Sequence, residues 1–327
     1  MQQSHMPSVH VIATGGTIAG TDGDSGVSPS RSGQELIESV PQLTNRFDTT
    51  ITQVTQRPST ALSTENLVKI AEAVRRAAAS ADGVVVLHGT DTMAETAYYL
   101  DLVVGSTTSV VLTGSQRTAT DPSPDGPANL IGAFEAATHE ALQTGAYVFF
   151  NNRLHAARAV EKRHTSNLAA YHSGHYGLVA ERTSEGLWLY RQPKSLSPAI
   201  PCSALTASVD VLTTSIGTGG GSLRDAVERN IDGVVIESAG MGNVPPDVAD
   251  AVETAIETGL TVVVASRCTD GATAPVYGDR GGAAALVEKG AILGGDLGAH
   301  KSRIALLAAL STPDQIDVES PFCPPLS

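Results

Sequence analysis

Aromatic residues, cysteines and positive charges are all scarce in this sequence of 327 residues. Aromatic residues make up 4% of the chain, and the three cysteines (Cys202, Cys268 and Cys323) are far apart, so they indicate neither a disulfide framework nor a metal-binding spacing. The sequence has 21 Lys and Arg residues and 34 Asp and Glu residues. The resulting formal net charge of −13 would repel nucleic-acid phosphates and anionic lipids. We therefore expect no nucleic-acid or membrane-surface partner.

Long hydrophobic runs are lacking as well. No stretch approaches the length of a membrane span, and residues 1–7 contain no apolar segment typical of a signal peptide. We therefore expect a cytoplasmic protein. The first six residues contain a second methionine, and we assign them no role.

The sequence does contain a repeated alternation of short apolar runs with helix-length segments. Such alternation is typical of βαβ units and predicts an α/β fold in which a mostly parallel sheet is flanked by helices. The predicted strands of the first half are 9–13, 51–55, 83–87, 109–113 and 146–150, and the predicted helices are 65–79, 93–104 and 129–143.

A break in this pattern divides the chain into two predicted domains, as its length also favours. Prolines accumulate at Pro193, Pro198 and Pro201, and we interpret residues 191–208 as a linker. Residues 1–190 then form a larger N-terminal domain. Residues 209–327 form a smaller C-terminal α/β domain, with predicted strands at 209–212, 233–237, 260–266 and 291–293.

The first predicted strand runs directly into the turn Thr14-Gly15-Gly16-Thr17. Two glycines permit a tight turn and a close approach of backbone to ligand. The turn could be a plain βα connection or a dinucleotide-binding loop, but its glycine spacing is not G-x-G-x-x-G and no P-loop lysine follows. A threonine hydroxyl is a poor nucleophile unless a base and an oxyanion site accompany it.

A second polar strand end reads His88-Gly89-Thr90-Asp91-Thr92. Thr90 or Asp91 could merely cap the helix that follows. Alternatively, because ligands of open α/β sheets gather outside the carboxyl ends of the strands, both turns could border one binding site.

Together these motifs resemble the bacterial L-asparaginase family. TGGTIAG at residues 14–20 and HGTDTMAETA at residues 88–97 carry the resemblance, which extends over VPQL at 40–43, DGPANL at 125–130 and SAGMGN at 238–243. It implies that Thr17 is the nucleophile of an acyl-enzyme and Thr90 the second essential threonine. It further implies that Asp91 holds the substrate α-amino group, and that Lys162 supports proton transfer through Thr90.

The resemblance also implies a substrate-binding set. It places Ser59 and Thr60 at the substrate carboxylate, although Ser59-Thr60 could also be loop filler. Gly89 belongs to the same set through its backbone, and Ser115 lines the pocket by its position after the fourth strand. No metal or organic cofactor is implied, and the partners are a small-molecule substrate and further copies of the chain in a homodimer or homotetramer.

Two departures from the family pattern stand out. The tyrosine that many members place in the lid after the nucleophile reads Val27, within the segment 21–32. The family's Gly-Asn-Gly-Asn stretch reads Gly242-Asn243-Val244-Pro245, and a glutamate that some members contribute nearby is replaced by a loop carrying Tyr277. Tyr277 could reach an active site, its own or that of a neighbouring subunit, or it could be an interface or core residue.

Four histidines occur within some twenty residues, but at no regular metal spacing, and we interpret them as part of a turn-rich hairpin region: His155, His164, His172 and His175. The predicted function is hydrolysis of L-asparagine to L-aspartate and ammonia. The alternatives are a broader glutaminase-asparaginase, the amidase subunit of a tRNA-dependent amidotransferase, and a catalytically weak amino-acid sensor. The amidase subunit normally carries an additional N-terminal domain, whereas this sequence begins its first predicted strand at Val9.

Overall fold

The computed structural model describes residues 6–23, 26–105, 108–192, 199–312 and 316–322. Pro193, Pro198, Cys323 and the side chain of Val27 lie outside the described residues. The chain divides into two compact units, residues 1–195 and 196–327, and this boundary falls inside the segment 191–208 that the sequence predicts as a linker.

The first unit is built around one large sheet, accompanied by short hairpins. Its strands are β1 (Ser8–Gly15), β2 (Gly20–Gly23), β3 (Gly26–Pro29), β4 (Asp48–Arg57), β5 (Gly83–Leu87), β6 (Ser109–Thr113), β7 (Gly145–Phe150), β8 (Arg153–Ala156), β9 (Glu161–Lys162), β10 (Tyr171–His172), β11 (Ala180–Thr183) and β12 (Gly186–Leu189). Its helices are α1 (Gly33–Glu38), α2 (Pro41–Thr44), α3 (Thr64–Ala78), α4 (Met93–Val103) and α5 (Gly126–Ala137).

Within the described residues the large sheet has eight strands in the order β12-β11-β8-β7-β6-β5-β1-β4. The pairs from β4 to β7 are parallel, and the pairs from β7 to β12 are antiparallel. All residues of β5 and β6 are buried, as expected for central strands covered on both faces. Two-stranded pairs β2-β3 and β9-β10 lie outside this sheet.

Helix boundaries in the first unit follow local capping chemistry. At the start of α3 the Ser63 hydroxyl accepts from the Asn66 amide, while the Asn66 side chain accepts from the Ser63 backbone, forming a capping box. The inner face of α3 is apolar and packs on the sheet through Ile70 and Val74, both fully buried. The helix therefore fixes the position of the loop that precedes it, which carries Ser59.

The second unit is a smaller parallel α/β layer. Its strands β13 (Val209–Thr213), β14 (Gly233–Ser238), β15 (Thr261–Ser266) and β16 (Ile292–Leu293) are hydrogen bonded in that order, all in parallel. Its helices are α6 (Gly221–Glu228), α7 (Pro246–Glu257), α8 (Ala283–Glu288) and α9 (Ala299–Leu310).

The predicted fold class is thus confirmed: an α/β chain with a larger, mostly parallel N-terminal sheet and a smaller C-terminal α/β layer. The main difference concerns α5, which was expected at 129–143 but spans Gly126–Ala137. Pro127 stands in its first turn, where proline is favoured, and the Thr138 hydroxyl bonds to the Phe134 carbonyl at its end. Among the described residues, no helix is both long and apolar enough to cross a bilayer.

Candidate active site

Four turns of the first unit lie at the carboxyl ends of adjacent parallel strands. They follow β4, β1, β5 and β6, and they carry Ser59, Thr17, Thr90 and Ser115. Because these strands are neighbours with the same direction, their carboxyl ends share one edge of the sheet. The topology therefore brings together residues that are up to a hundred positions apart in sequence.

The turn after β1 is shaped by two glycines with positive φ. Gly15 has φ 109° and Gly16 has φ 84°, and a Cβ atom added to Gly16 would lie 2.4 Å from both N and Cα of Gly89. The two polar turns are therefore in direct backbone contact, which only glycine permits here. Thr17 opens a 3-10 turn and is partly exposed, and its hydroxyl makes no hydrogen bond with residues that the structure describes.

His88 organises the backbone of the second turn from inside the core. Its imidazole is fully buried, with Nδ1 2.7 Å from the Gly89 carbonyl oxygen and Nε2 3.0 Å from the Thr96 hydroxyl. Since a carbonyl only accepts, Nδ1 carries the proton and Nε2 accepts from Thr96. Burial lowers the pKa of His88 to about 4, so the ring is neutral at physiological pH. A neutral ring in this position holds the Gly89 peptide in one orientation.

Lys162 reaches this turn from the short strand β9. Its Nζ donates to Thr90 Oγ1 at 2.8 Å and to Asp91 Oδ1 at 2.7 Å. The Lys162 side chain is 14% exposed, whereas the Asp91 side chain is 62% exposed. A lysine that is mostly buried has lost hydration, and these two oxygens compensate for that loss. The structure thus brings three of the predicted catalytic residues into one hydrogen-bonded group.

Tyr171 holds the same threonine from its backbone side. Its hydroxyl donates to the Thr90 carbonyl at 2.5 Å, and its ring packs 5.0 Å from the ring of Phe150. Tyr171 stands directly opposite Lys162 in the antiparallel pair β9-β10. Burial, with a smaller contribution from the Asp91 carboxylate, raises the pKa of the Tyr171 phenol, which therefore stays protonated as a donor.

Ser59 lies against the second turn and is buried, whereas Thr60 is exposed. A Cβ on Gly89 would lie 2.9 Å from the Ser59 hydroxyl oxygen, and Thr92 donates to the Ser59 carbonyl at 3.1 Å. The two residues share one 3-10 turn. The predicted carboxylate-binding pair therefore offers one enclosed and one open hydroxyl.

Ser115 is fully buried, and its hydroxyl donates to the Arg117 carbonyl at 2.8 Å. The Asp125 carboxylate fixes this loop by accepting from the amides of Gln116 and Arg117. Asn129 completes the support through bonds to Asp125 and to the Gly114 carbonyl. Since the Ser115 hydroxyl already donates its hydrogen, the groups that Ser115 can offer to a ligand are its backbone and the acceptor lone pairs of its oxygen.

The second unit contains the other positions singled out from the sequence. Tyr277 is 50% exposed. Met241, which belongs to the SAGMGN motif at residues 238–243, is 44% exposed. Asn243 makes paired backbone hydrogen bonds with Ala239, and its side-chain oxygen accepts from the Ala283 amide. Asn243 therefore has a structural role within its own unit.

The four histidines of the hairpin region do not converge on a metal site. His155 is buried and bonds to the Ser173 hydroxyl at 2.7 Å, and His164 accepts from two backbone amides at its Nδ1. Across the part of the chain that the structure describes, no group of three His, Cys, Asp or Glu is arranged to hold a metal ion.

Sequence reasoning missed the roles of His88 and Tyr171. His88 lies within a recognised motif, but a single histidine after a strand gives no sign of its burial or of its bond to Gly89. Tyr171 lies nine positions after Lys162, beyond a loop without periodicity. A signal was available only from the hairpin register, which two-residue strands do not reveal.

Comparisons with known proteins agree over nearly the whole chain. The family described as "Asparaginase, N-terminal" matches residues 8–195, and "Glutaminase/Asparaginase C-terminal domain" matches residues 208–318. A Deinococcus radiodurans protein named "Probable L-asparaginase" is 35% identical, covering 94% of each chain. A Bacillus licheniformis "L-asparaginase" is 31% identical, covering 96% of this chain and 98% of the relative.

A solved structure is similar too. The crystal structure of "Probable Cytoplasmic L-asparaginase from Campylobacter jejuni" is 30% identical and superposes with a TM-score of 0.86, covering 97% of this chain and 99% of that one. The two family matches, the relatives and the shared architecture together show that the chain belongs to the L-asparaginase family of amidohydrolases.

Proposed function

We propose that the chain hydrolyses L-asparagine to L-aspartate and ammonia through an acyl-enzyme on Thr17. The observation that carries this proposal is the bonding of Lys162 Nζ to both Thr90 Oγ1 and Asp91 Oδ1, beside the turn that presents Thr17. This arrangement supplies a proton-transfer group, a second hydroxyl and a carboxylate next to a hydroxyl nucleophile, as acyl transfer requires.

Substrate binding is assigned to groups around the second turn. One Asp91 oxygen accepts from Lys162, and the other is available to the substrate α-ammonium group on the exposed side of the carboxylate. Ser59 and Thr60, with the backbone of Gly89, bind the α-carboxylate, and the Ser115 backbone borders the side chain.

Acylation then proceeds in two balanced steps. Thr17 Oγ1 adds to the side-chain amide carbon while its proton passes towards Thr90 and the Lys162 amine. Backbone amides of the turns and Thr90 stabilise the oxyanion. Collapse of the tetrahedral intermediate breaks the carbon–nitrogen bond, and the proton is returned to the leaving nitrogen, so that ammonia departs.

Deacylation reverses the proton path. Water adds to the aspartyl ester carbon while Lys162, through Thr90, accepts its proton. Collapse breaks the ester bond, returns the proton to Thr17 Oγ1 and releases L-aspartate. Because Val27 stands where many family members place a hydroxyl in the lid, Thr90 and Lys162 alone activate Thr17.

We further propose a cytoplasmic homodimer or homotetramer. The similar Campylobacter jejuni protein, named a probable cytoplasmic L-asparaginase, supports the location, and membership of the family supports the assembly. Sedimentation of the purified protein at several concentrations tests the assembly, and a monomer at every concentration would contradict it.

The decisive assay measures ammonia release from L-asparagine and from L-glutamine by the wild type and by Thr17→Ala. We expect steady turnover of L-asparagine, loss of at least three orders of magnitude in Thr17→Ala, and a lower rate on L-glutamine. Acid quenching followed by mass spectrometry is expected to find one aspartyl group on the peptide that contains Thr17.

Different failures have different meanings. Saturable binding of L-asparagine without turnover would support an amino-acid sensor and contradict hydrolysis. Equal rates on the two substrates would support a glutaminase-asparaginase. Full activity of Thr17→Ala would refute Thr17 as the nucleophile.

A further inference from the structure

A cavity of about 190 Å³ lies in the first unit beside the Thr17 turn. Its walls come from that turn, from α1 and the residues on both sides of it, from the loop after β6 and from the first two turns of α5. The apolar lining includes Ile18, Leu36, Val40 and Leu130, which are all buried. Thr17, Thr90, Asp91 and Lys162 are not among its lining residues, whereas Ser115, which is assigned to the border of the substrate site, is one of them.

Two arginines, Arg31 and Arg117, also line this cavity. The Arg31 guanidinium donates to the Glu35 carbonyl at 3.0 Å, and the Arg117 guanidinium donates to the Ser123 carbonyl at 2.9 Å. Neither forms an ion pair with a carboxylate among the described residues, although both are partly buried. Each guanidinium has five N–H donors, so both retain donors for an anion.

Among the described residues no Asp or Glu lines the cavity, and the Glu35 carboxylate beside Arg31 bonds to the Ser32 amide and hydroxyl. The Ser115 hydroxyl is used by the Arg117 carbonyl, and the Asp125 carboxylate is used by the amides of the loop after β6 and by Asn129. The N-terminal end of α5, a helix of 12 residues, also faces the cavity through Gly126 and adds partial positive charge.

We propose that this cavity binds a small organic monocarboxylate with a compact apolar body, about the size of benzoate. An apolar cavity of about 150 Å³ is large enough for benzene, so the observed volume accommodates a ring together with a carboxylate group. The apolar residues would cover the body, and Arg31 and Arg117 would bind the carboxylate through charge-assisted hydrogen bonds. Inorganic anions lack the body, and neutral aromatics lack the charge.

The cavity is in physical contact with the catalytic turn. Ile18 directly follows Thr17, and a Cβ on Gly126 would lie 3.3 Å from Ile18 Cγ1. On the other side, the Arg31 amide donates to the Ala19 carbonyl at 3.0 Å. A ligand here therefore contacts residues bonded to the Thr17 turn, and Ser115 is the wall that the cavity shares with the position assigned to substrate.

Isothermal titration calorimetry of the full chain with sodium benzoate tests this proposal. We expect saturable binding with one site per chain, and at least tenfold weaker binding of benzyl alcohol and of sulfate. The titration is repeated with saturating L-aspartate, which would occupy the candidate active site. Displacement of benzoate by L-aspartate would overturn the proposal, because benzoate would then be bound at the candidate active site.

Variants locate the binding. Arg31→Gln and Arg117→Gln are each expected to weaken benzoate binding at least fivefold, and Ala119→Trp, at an exposed lining residue, is expected to abolish it by filling the entrance. Arg76→Gln removes the same charge from an exposed helix face and serves as the control, with unchanged affinity. Equal affinity in Arg31→Gln, Ala119→Trp and the control would refute the site, whatever the outcome of the asparagine assay.

Discussion

The buried imidazole of His88 makes the stability of the first unit depend on pH in a defined direction. Burial lowers its pKa from 6.5 to about 4 in the folded state. At pH 7 the ring is neutral in the folded state and mostly neutral in the unfolded state, so nearly all of its contribution to stability is present. As the pH falls through 6.5, the unfolded chain takes up a proton that the folded chain does not, so stability is lost until about pH 4.

The size of this loss follows from the two pKa values. The gap between 6.5 and about 4 corresponds to roughly 3 kcal/mol in the free energy of unfolding. To isolate it, we compare the wild type with His88→Asn, because the asparagine amide can donate to the Gly89 carbonyl as Nδ1 does but does not titrate. His172→Asn replaces an exposed histidine of the same unit and serves as the control.

The assay is urea unfolding between pH 7 and pH 4, followed by fluorescence. Trp188 is the single tryptophan of the sequence and belongs to the first unit, so its emission reports on that unit. We expect the stability advantage of the wild type over His88→Asn to shrink by roughly 3 kcal/mol on acidification. The advantage over His172→Asn should stay constant, because the contribution of other acidic groups cancels. A constant difference for His88→Asn would refute the reasoning.

Three further changes test how the catalytic group is held. Tyr171→Phe leaves a buried carbonyl without its donor, and we expect a loss of about 1–3 kcal/mol in stability together with a several-fold lower kcat. Gly16→Ala forces a Cβ into the backbone of the neighbouring turn, and activity should fall below detection. Lys162→Met should lower kcat by at least a hundredfold while stability changes by less than about 1 kcal/mol, since its carboxylate partner is mostly exposed. Ammonia release and urea unfolding measure all three.

Matched controls separate positioning from general destabilisation. Tyr147→Phe also removes a phenol that donates to a backbone carbonyl, and it should lose stability with unchanged kcat. Gly177 also has a positive φ, of 69°, but an added Cβ there would meet nothing within 4 Å. Gly177→Ala is therefore expected to introduce backbone strain only. Lys69→Met breaks an exposed pair and should alter neither property. If a control loses activity as its test variant does, the corresponding positioning role is wrong.

The central sheet could be predicted from the sequence because its strands carry their signal locally. The predicted and observed bounds of β5 and β6 coincide, since each is a short β-branched run between a turn and a polar residue. The predicted bounds of α5 lie too far towards the C-terminus. They follow its apolar periodicity and do not include Pro127, a residue type favoured in the first turn of a helix.

The hairpin region could not be predicted in the same way. β9 and β10 have two residues each, too few to show a period of two, and their pairing depends on contacts between distant segments. Lys162 could be identified only through a family resemblance, and its partner Tyr171 could not be identified at all. The same limit applies to the cavity beside Ile18, because side chains from four separate segments enclose it.

The Thr17 turn and the Thr90 turn depend on each other through their glycines. Gly16 is in backbone contact with Gly89, and Gly89 is in contact with Ser59. The absence of a Cβ at each glycine therefore lets the segments that carry the functional hydroxyls pack directly against each other. A larger residue at either glycine would push the turns apart by more than the tolerance of a hydrogen bond. The two motifs therefore form a single steric unit: the first cannot present its threonine correctly unless the second is also intact.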